Sequence, residues 1–298
     1  MRLRYNALAM RRFEYFAPQT LNEALTLLKE RGDGARLLAG GTDMLVQMKE
    51  AGLHPSAVVS IHALPELKSI EFDETKGLRI GAGVDMATIA EHPIVRERYT
   101  ALAEGAGIVG SMQTRNMATI GGNICNAAPS ADTAPPVVIF DAVAEIARAQ
   151  GTREAQVEEL FAGPGKTLLS PDEIVVAFRF PRFPPRTGSV YQRHTPRKIM
   201  DIAVVGVGVR LTLAKDGSIT HARMCLGAVA PTVIRVNDAE ESLIGKTPSE
   251  ELFERAAELS QEAARPISDV RGTAEFRRYL VGVMAKRCLW IALERAKG

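Results

Sequence analysis

The sequence contains few of the residues that build metal centres. Its 298 residues include three cysteines and five histidines. Cys125, Cys225 and Cys288 are too far apart for a CxxC metal motif or a disulfide framework. The histidines also lack the spacing of metal ligands. We therefore predict no metal site and no iron–sulfur cluster in this chain.

Charge and hydropathy exclude further classes of protein. The net charge is +2, which gives no strong attraction to nucleic acid, and no apolar run is long enough for a membrane span. Residues 1–4 lack the apolar core of a secretory signal, so we expect a cytoplasmic protein. We expect residues 1–9, which precede Met10, to be a flexible extension. The length and the 46% apolar content predict a globular chain of two or three domains.

Two glycine pairs, in residues 37–43 and 116–123, are the most informative features. Gly40-Gly41 follows an apolar run and precedes Thr42, and Gly121-Gly122 follows Thr119. Glycine allows a ligand to approach the backbone closely and adopts positive φ, and successive amides in such a turn form a nest for anions. Two nests predict a site for two joined phosphates. The alternative is two tight turns that each end a strand.

The first 185 residues show patterns of short helices and strands. A capping box at 20–23 begins a helix that Gly32 ends. Further elements are predicted as strands at 36–39, 57–61, 78–83, 143–149 and 174–180, and as helices from Met86 and over 93–104. We predict one unit over residues 1–64 and a second over 65–185, with a proline-rich connection at 181–185.

Residues 186–298 have the pattern of a third, α+β unit. Strands are predicted at 189–193, 202–213 and 219–230, with Asp216-Gly217 as a hairpin turn. A capping box at 247–250, with Pro248 in the first helical position, predicts a helix. The core face of the last helix is predicted from the positions of Phe276, Leu280, Val283, Met284, Arg287, Trp290 and Ile291.

Two segments resemble nucleotide-binding motifs but lack the sequence context that each motif requires. Residues 105–110 match GxGxxG but follow a helical segment, and residues 163–167 resemble the end of a Walker A loop but have Leu160 where that loop needs glycine. Asp132 follows the second glycine pair closely. It is either a turn residue or an acceptor for ribose hydroxyls, and the sequence leaves both open.

Residues 37–43, 113–123 and 128–132 together closely resemble the FAD-binding medium subunit of the molybdenum hydroxylases. That family includes carbon monoxide dehydrogenase and xanthine dehydrogenase, and the resemblance extends over nearly the whole chain from Arg12. It implies the FAD-binding fold of the p-cresol methylhydroxylase type. Two α+β subdomains would be followed by a C-terminal α+β domain with an antiparallel sheet and helices.

The resemblance also implies a binding role for particular residues, with FAD held non-covalently and no catalytic residue in this chain. Residues 37–43 and 119–123 would hold the pyrophosphate, with the contacts made by Leu37, Leu38, Ala39, Gly40, Gly41, Thr42, Asp43, Thr119, Gly121, Gly122 and Asn123. Asp132 would bind the ribose, and Leu169 would contact the flavin. Arg193 and Lys198 would lie near the flavin or its phosphates, and Ile202 against the isoalloxazine ring. Val109 stands where some relatives have an aromatic ring.

The resemblance implies an electron-transfer subunit. FAD would receive electrons from the [2Fe-2S] clusters of a small subunit, while a large subunit carries molybdopterin. The external acceptor would be NAD⁺, a quinone or another carrier. Two alternatives remain open: a self-sufficient FAD-dependent oxidoreductase on the same fold, and an assembly subunit without FAD.

Overall fold

Three sheets of three or more strands follow one another along the chain in the computed structural model, which describes residues 10–197 and 200–298. The first sheet is parallel, in the order β1-β3-β2. Its strands are β1 (Glu14–Phe16), β2 (Ala35–Leu38) and β3 (Ala57–Ser60), connected by helices α1 (Leu21–Arg31) and α2 (Met44–Glu50). The Thr20 hydroxyl accepts a hydrogen bond from the Glu23 amide and Gly32 follows the last turn of α1, so the predicted cap is confirmed, whereas the Glu23 carboxylate of the capping box accepts from the Gln19 amide and not from that of Thr20.

The second sheet is antiparallel and has five strands in the order β4-β5-β10-β6-β7. The strands of this region are β4 (Ile70–Asp73), β5 (Gly77–Gly81), β6 (Val143–Arg148), β7 (Gly151–Gln156) and β10 (Ile174–Phe180), with a separate hairpin of β8 (Phe161–Gly163) and β9 (Lys166–Thr167). Between β5 and β6 lie α3 (Met86–Glu91), α4 (Pro93–Arg98), α5 (Thr100–Gly107), α6 (Met112–Arg115), α7 (Ile120–Cys125) and α8 (Ala134–Ile139).

The third sheet is an antiparallel meander covered by helices. Its strands are β11 (Thr187–His194), β12 (Val205–Leu213), β13 (Ile219–Gly227) and β14 (Ile234–Arg235). The helices are α9 (Asn237–Leu243), α10 (Glu250–Ala263) and α11 (Ala274–Lys297). None of the described helices is long and apolar enough to cross a membrane.

Each sheet packs on an apolar core, the first of which also includes Ala147 of β6 and Ile174 of β10, and two residues of the third sheet pack into the core of the second. Tyr191 of β11 and Cys225 of β13 are buried in the core of the second unit rather than in that of their own sheet. The end of β11 is therefore fixed against the elements that follow α7. The unit boundaries at 64 and 185 stay predictions.

Several predicted element bounds are wrong. The helix expected over 93–104 is two helices, because Tyr99 has a non-helical backbone and its buried hydroxyl donates to the Pro181 carbonyl oxygen. The helix expected from residue 247 begins at Glu250, because Ser249 caps it by accepting from the Leu252 amide. The strand expected over 202–213 begins at Val205, and the one over 219–230 ends at Gly227.

The core face of α11 also differs from the prediction. Gly282, Ala285 and Ala292 are buried, with Gly282 towards Gln261 of α10, and Met284 is buried as predicted, whereas Phe276 is exposed. Small side chains allow the helix to lie close to its neighbours, while the predicted Leu280, Trp290 and Ile291 pack, partly buried, against the same core.

Candidate functional site

The two glycine segments meet at one cavity of about 800 Å³. This volume lies in the usual range for a small-molecule site. The predicted site residues that line it are Leu37, Ala39, Gly40, Gly41, Thr42, Asp43, Val109, Thr119, Gly121, Gly122, Asn123, Asp132, Arg193 and Ile202. Leu38 and Leu169 are outside this lining, and Lys198 lies outside the described residues.

The first segment forms a loop of unpaired amides between β2 and α2. Gly41 has φ of +73°, the left-handed conformation that glycine adopts readily. The amides of residues 40–43 donate to no acceptor among the residues that the structure describes. Gly40, Gly41 and Thr42 are half-buried at the cavity, so their unpaired amides form a nest that can bind an anion. The Asp43 carboxyl lies beside it, and burial raises its pKa despite a hydrogen bond with Thr42.

Gly40 is required by a backbone contact. A β-carbon at this position would overlap the carbonyl oxygen of Met117 and would lie 3.1 Å from the Cα of Ala118. The loop after β2 thus packs directly against the chain that enters the second glycine segment. In addition, the Gln47 amide of α2 donates to the side-chain oxygen of Asn126, after α7, at 3.1 Å.

The second segment is the first turn of a helix, not the positive-φ turn expected from the sequence. Thr119 caps α7, accepting from the Gly122 amide at 3.1 Å. The amides of residues 120–123 donate to the carbonyl oxygens of Val84, Ala82 and Thr119 and to the Thr119 hydroxyl. The acceptors after β5 lie far away in sequence, so no local pattern indicates them. These amides already have partners and differ in this respect from those of residues 40–43.

Side chains supply the donors of the second segment. The Thr119 hydroxyl accepts from an amide and keeps its own proton for donation. The Asn123 oxygen accepts from the Thr133 hydroxyl at 2.6 Å, so its NH₂ group is the part left for the cavity. A β-carbon at Gly122 would meet only the Thr119 hydroxyl oxygen within 4 Å, which leaves room for a ligand at the backbone.

A buried ion pair lies at another wall of the cavity. The Asp132 carboxylate accepts from the Tyr191 hydroxyl at 3.0 Å through one oxygen and from Arg193 through the other. Burial raises the pKa of Asp132 to about 6, while Arg193 and Tyr191 act to lower it. Asp132 lines the cavity, and each of its oxygens can accept a further hydrogen bond, so its expected contact with ribose stays a prediction.

Tyr191 is absent from the residues predicted from the sequence. It stands two positions before Arg193 in β11, and alternate residues of a strand share a face. This spacing could have indicated it once Arg193 was assigned to the cavity. Its partner Asp132 lies 59 residues away, which the sequence pattern does not show.

The segment after β11 supplies apolar groups. Met200 and Ile202 line the cavity and are largely exposed, at 60% and 48%. Asp201 accepts from the Arg197 and Ile202 amides, and the hydrogen bonds from Arg197 lower its pKa. Leu169 packs against the core of the second unit instead. Exposed apolar side chains beside a cavity are typical of ligand contact.

Comparison with known proteins identifies the family. Residues 11–183 match the family described as "FAD binding domain in molybdopterin dehydrogenase", and residues 191–291 match "CO dehydrogenase flavoprotein C-terminal domain". The chain is 36% identical over 285 residues to the xanthine dehydrogenase FAD-binding subunit of Escherichia coli O157:H7, covering 95% of this chain and 97% of the relative. It is 34% identical to the carbon monoxide dehydrogenase medium chain of Hydrogenophaga pseudoflava, covering 95% and 98%.

A solved structure has the same architecture. Carbon monoxide dehydrogenase from Hydrogenophaga pseudoflava, in a form that lacks the molybdenum–pyranopterin moiety, contains a chain that superimposes with a TM-score of 0.92 at 33% identity, covering 96% of this chain and 99% of that chain. The predicted α+β fold, with FAD-binding and C-terminal parts, is confirmed. The chain belongs to the family of FAD-binding medium subunits of the molybdenum-containing xanthine and carbon monoxide dehydrogenases.

Proposed function

We propose that this chain holds FAD non-covalently and acts as the electron-transfer subunit of a molybdenum-containing dehydrogenase. The observation that supports this best is the row of unpaired amides at 40–43, which shares one cavity with the donors of Thr119 and Asn123. Such a donor set suits a diphosphate. Arg193 and Ile202 line the same cavity, whose volume of about 800 Å³ gives room for the rest of the cofactor.

The two glycine segments would bind the diphosphate through different groups, one with backbone amides and the other with side chains. The amides at 40–43 donate directly, and the Thr119 hydroxyl and the Asn123 NH₂ group donate from the opposite segment. Each hydrogen bond to a charged oxygen is worth about 1.5–3 kcal/mol. The absence of a side chain at Gly122 leaves space for the phosphates, whereas Gly40 and Gly41 allow the loop to pack against Met117 and Leu45.

Val109 and Ile202, which also line the cavity, would contact the isoalloxazine ring and exclude water from it. Arg193 would face an oxygen-bearing part of the cofactor. Lys198 would also lie near the flavin or its phosphates, a role proposed from family resemblance alone. When bound, FAD accepts and donates electrons singly or in pairs, so it connects one-electron and two-electron carriers.

The names of the relatives support the proposal that this chain has partner subunits. The Hydrogenophaga relative is named a medium chain, which describes one chain of a larger enzyme. We propose that a small subunit with [2Fe-2S] clusters supplies electrons, that a large subunit with molybdopterin oxidises the substrate, and that NAD⁺, a quinone or another carrier accepts the electrons. The complex would lie in the cytoplasm, as expected from the sequence.

Reconstitution tests the proposal. The full chain, purified alone, should bind one FAD but should not reduce a dye with purines, aldehydes or carbon monoxide. Turnover should appear when the small and large subunits are added. A Gly122→Val chain should assemble with the partners but lack flavin, because only the Thr119 hydroxyl lies near the new side chain. Oxidation of substrate by the chain alone, free of molybdenum and iron, would contradict the proposal and favour a self-sufficient flavoenzyme.

A further inference from the structure

The connection between α10 and α11 exposes apolar side chains close to the cavity. We propose that residues 265–279, which comprise this loop and the first turns of α11, are the docking segment for the [2Fe-2S] subunit that supplies electrons. The inference rests on the proposed function and identifies the face of this chain that the partner covers.

The apolar side chains of the docking segment lie on the surface. Val270 is 97% exposed, and Ile267, Phe276 and Tyr279 are exposed as well. Phe276 and Tyr279 are three positions apart in α11, so they share one face of the helix. Exposed apolar groups of this kind mark interaction sites, where aromatic residues and arginine are enriched.

The turn that carries Val270 is held in one conformation. Asp269 and Gly272 exchange two backbone hydrogen bonds of 3.1 Å, with Val270 and Arg271 between them. The Asp269 carboxylate accepts from the Arg271 amide at 2.8 Å and from the Arg277 guanidinium at 2.5 Å. Arg277 is buried, so loss of this pair would leave a buried charge without its partner. A surface that is rigid before binding loses little conformational entropy when a partner covers it.

The same guanidinium connects the turn to the cavity. Arg277 also donates to the carbonyl oxygen of Val204, at 3.4 Å. Val204 follows Ile202 by two positions, and Ile202 lines the cavity while remaining exposed. In addition, the Phe276 ring lies edge-on to His194 at the end of β11, with 6.2 Å between the ring centroids. The docking segment therefore borders the residues that are proposed to contact the isoalloxazine ring.

The charge of the docking segment favours a different subunit over a second copy of this chain. Residues 265–279 contain four arginines and two acidic residues, a net charge of +2. In the described contacts, Arg265 and Arg278 donate to backbone carbonyl oxygens and not to carboxylates. Two such faces would repel each other across a two-fold interface, whereas a face with an apolar centre and an acidic rim would match.

The position beside the flavin end of the cavity decides which subunit docks here. Electrons pass efficiently between cofactors only over short distances, so the subunit that delivers them has to cover an edge close to the flavin. In the proposed function this is the task of the [2Fe-2S] subunit, because the molybdenum subunit passes its electrons through those clusters. The docking segment is therefore assigned to the small subunit.

Binding of the purified small subunit to the full chain loaded with FAD, measured by biolayer interferometry, tests the assignment. Val270→Asp should raise the dissociation constant at least about tenfold, because it replaces an apolar contact with a charge of the same sign as the expected rim of the partner. FAD content and melting temperature should not change, since Val270 is exposed and outside the cavity lining. The variant R265E/R278E should associate more slowly and with a weaker dependence on salt.

Ile244→Asp is the matched control. Ile244 is an exposed apolar residue of the same unit, next to Gly245, whose amide donates to the first residue of β13. The docking segment lies beyond the other end of β13, where the Arg265 amide donates to the Val229 carbonyl oxygen. Affinity of Ile244→Asp for the small subunit should stay within about twofold of the wild type. An equal loss in both variants, or no loss in Val270→Asp, would overturn the inference.

Val46→Asp tests a rival surface. Val46 of α2 is exposed, and Met44 and Gln47 beside it line the cavity. If Val46→Asp weakened binding of the small subunit and Val270→Asp did not, the partner would dock on α2 and the inference would be wrong. A wild-type homodimer in light scattering that Val270→Asp dissociates would overturn it too. A wild-type chain that bound no FAD would instead contradict the proposed function itself.

Discussion

Gly40 lies against the backbone of Met117, with no room for a side chain between them. The contact joins the loop after β2 to the chain that enters α7, 77 positions later in the sequence (117 minus 40). The two glycine segments that line the cavity are thus fixed to one another by main-chain packing. A change in the neighbouring residue, Gly41, acts on the same junction.

Gly41→Ala should weaken FAD binding at least about tenfold. Gly41 has φ of +73°, which an L side chain rarely adopts, and a β-carbon would lie 3.1 Å from side-chain carbons of Leu38 and Leu45. The amides at 40–43 would be displaced from the positions that a diphosphate needs. Fluorescence titration with FAD measures the change.

Gly52→Ala is the matched control for this variant. Gly52 has nearly the same φ, +75°, but nothing lies within 4 Å of the new β-carbon. Both substitutions carry a backbone strain of about 1 kcal/mol or more, whereas only the one at residue 41 disturbs the cavity. Equal FAD affinity in the two variants would mean that the loop does not bind the cofactor.

Thr119→Val should reduce both stability and FAD affinity. The hydroxyl caps α7, and loss of such a cap costs about 1 kcal/mol. Because the same hydroxyl is proposed to donate to the diphosphate, FAD should bind about tenfold more weakly as well. Urea unfolding and FAD titration measure the two effects separately.

Thr20→Val separates the cap from the ligand contact. Thr20 caps α1 through the same type of bond, to the Glu23 amide at 3.2 Å, and does not line the cavity. It should lose a similar amount of stability with FAD affinity unchanged. A Thr119→Val chain that behaved like Thr20→Val would have lost a cap and nothing more.

Local sequence patterns correctly predicted part of the cavity and the bounds of helix α1. The glycine segments do share one cavity, and Thr20 and Gly32 do bound α1, because both features depend on the conformations that nearby residues allow. The sequence did not show that residues 120–123 form a helical turn, since their acceptors lie on the segment after β5. For the same reason, the sequence did not indicate that Arg193 both donates a hydrogen bond to Asp132 and lines the cavity.

The stability of the chain without FAD should fall as pH rises from about 4 to about 6, to the extent that Asp132 contributes. Burial raises the pKa of Asp132 from 3.8 to about 6. In this window the folded chain retains a proton that the unfolded chain has released, so the free energy of unfolding falls with rising pH. The change is about 3 kcal/mol at most. Urea unfolding at several pH values should show a flatter profile for Asp132→Asn.

Glu173→Gln gives a control of opposite sign. Glu173 is also buried, but hydrogen bonds from Arg153 lower its pKa from 4.5. Its contribution is present above that value and is lost as pH falls through the lower pKa of the folded chain. The Gln variant should therefore lose stability at neutral pH and converge with the wild type in acid. Identical profiles for Asp132→Asn and the wild type would show that Asp132 is not shifted.

Flavin should be released from the protein by acid. A covalent link needs a nucleophilic side chain at the flavin, and among the described residues the cavity lining contains one cysteine, Cys125, and no histidine. The thiolate is the reactive form of cysteine, and burial raises the pKa of Cys125 to about 12, so the thiol stays protonated. After precipitation with acid, the yellow colour should be in the supernatant for the wild type and for Cys125→Ala alike. Colour retained in the wild-type pellet and released from Cys125→Ala would instead demonstrate a bond through this sulfur.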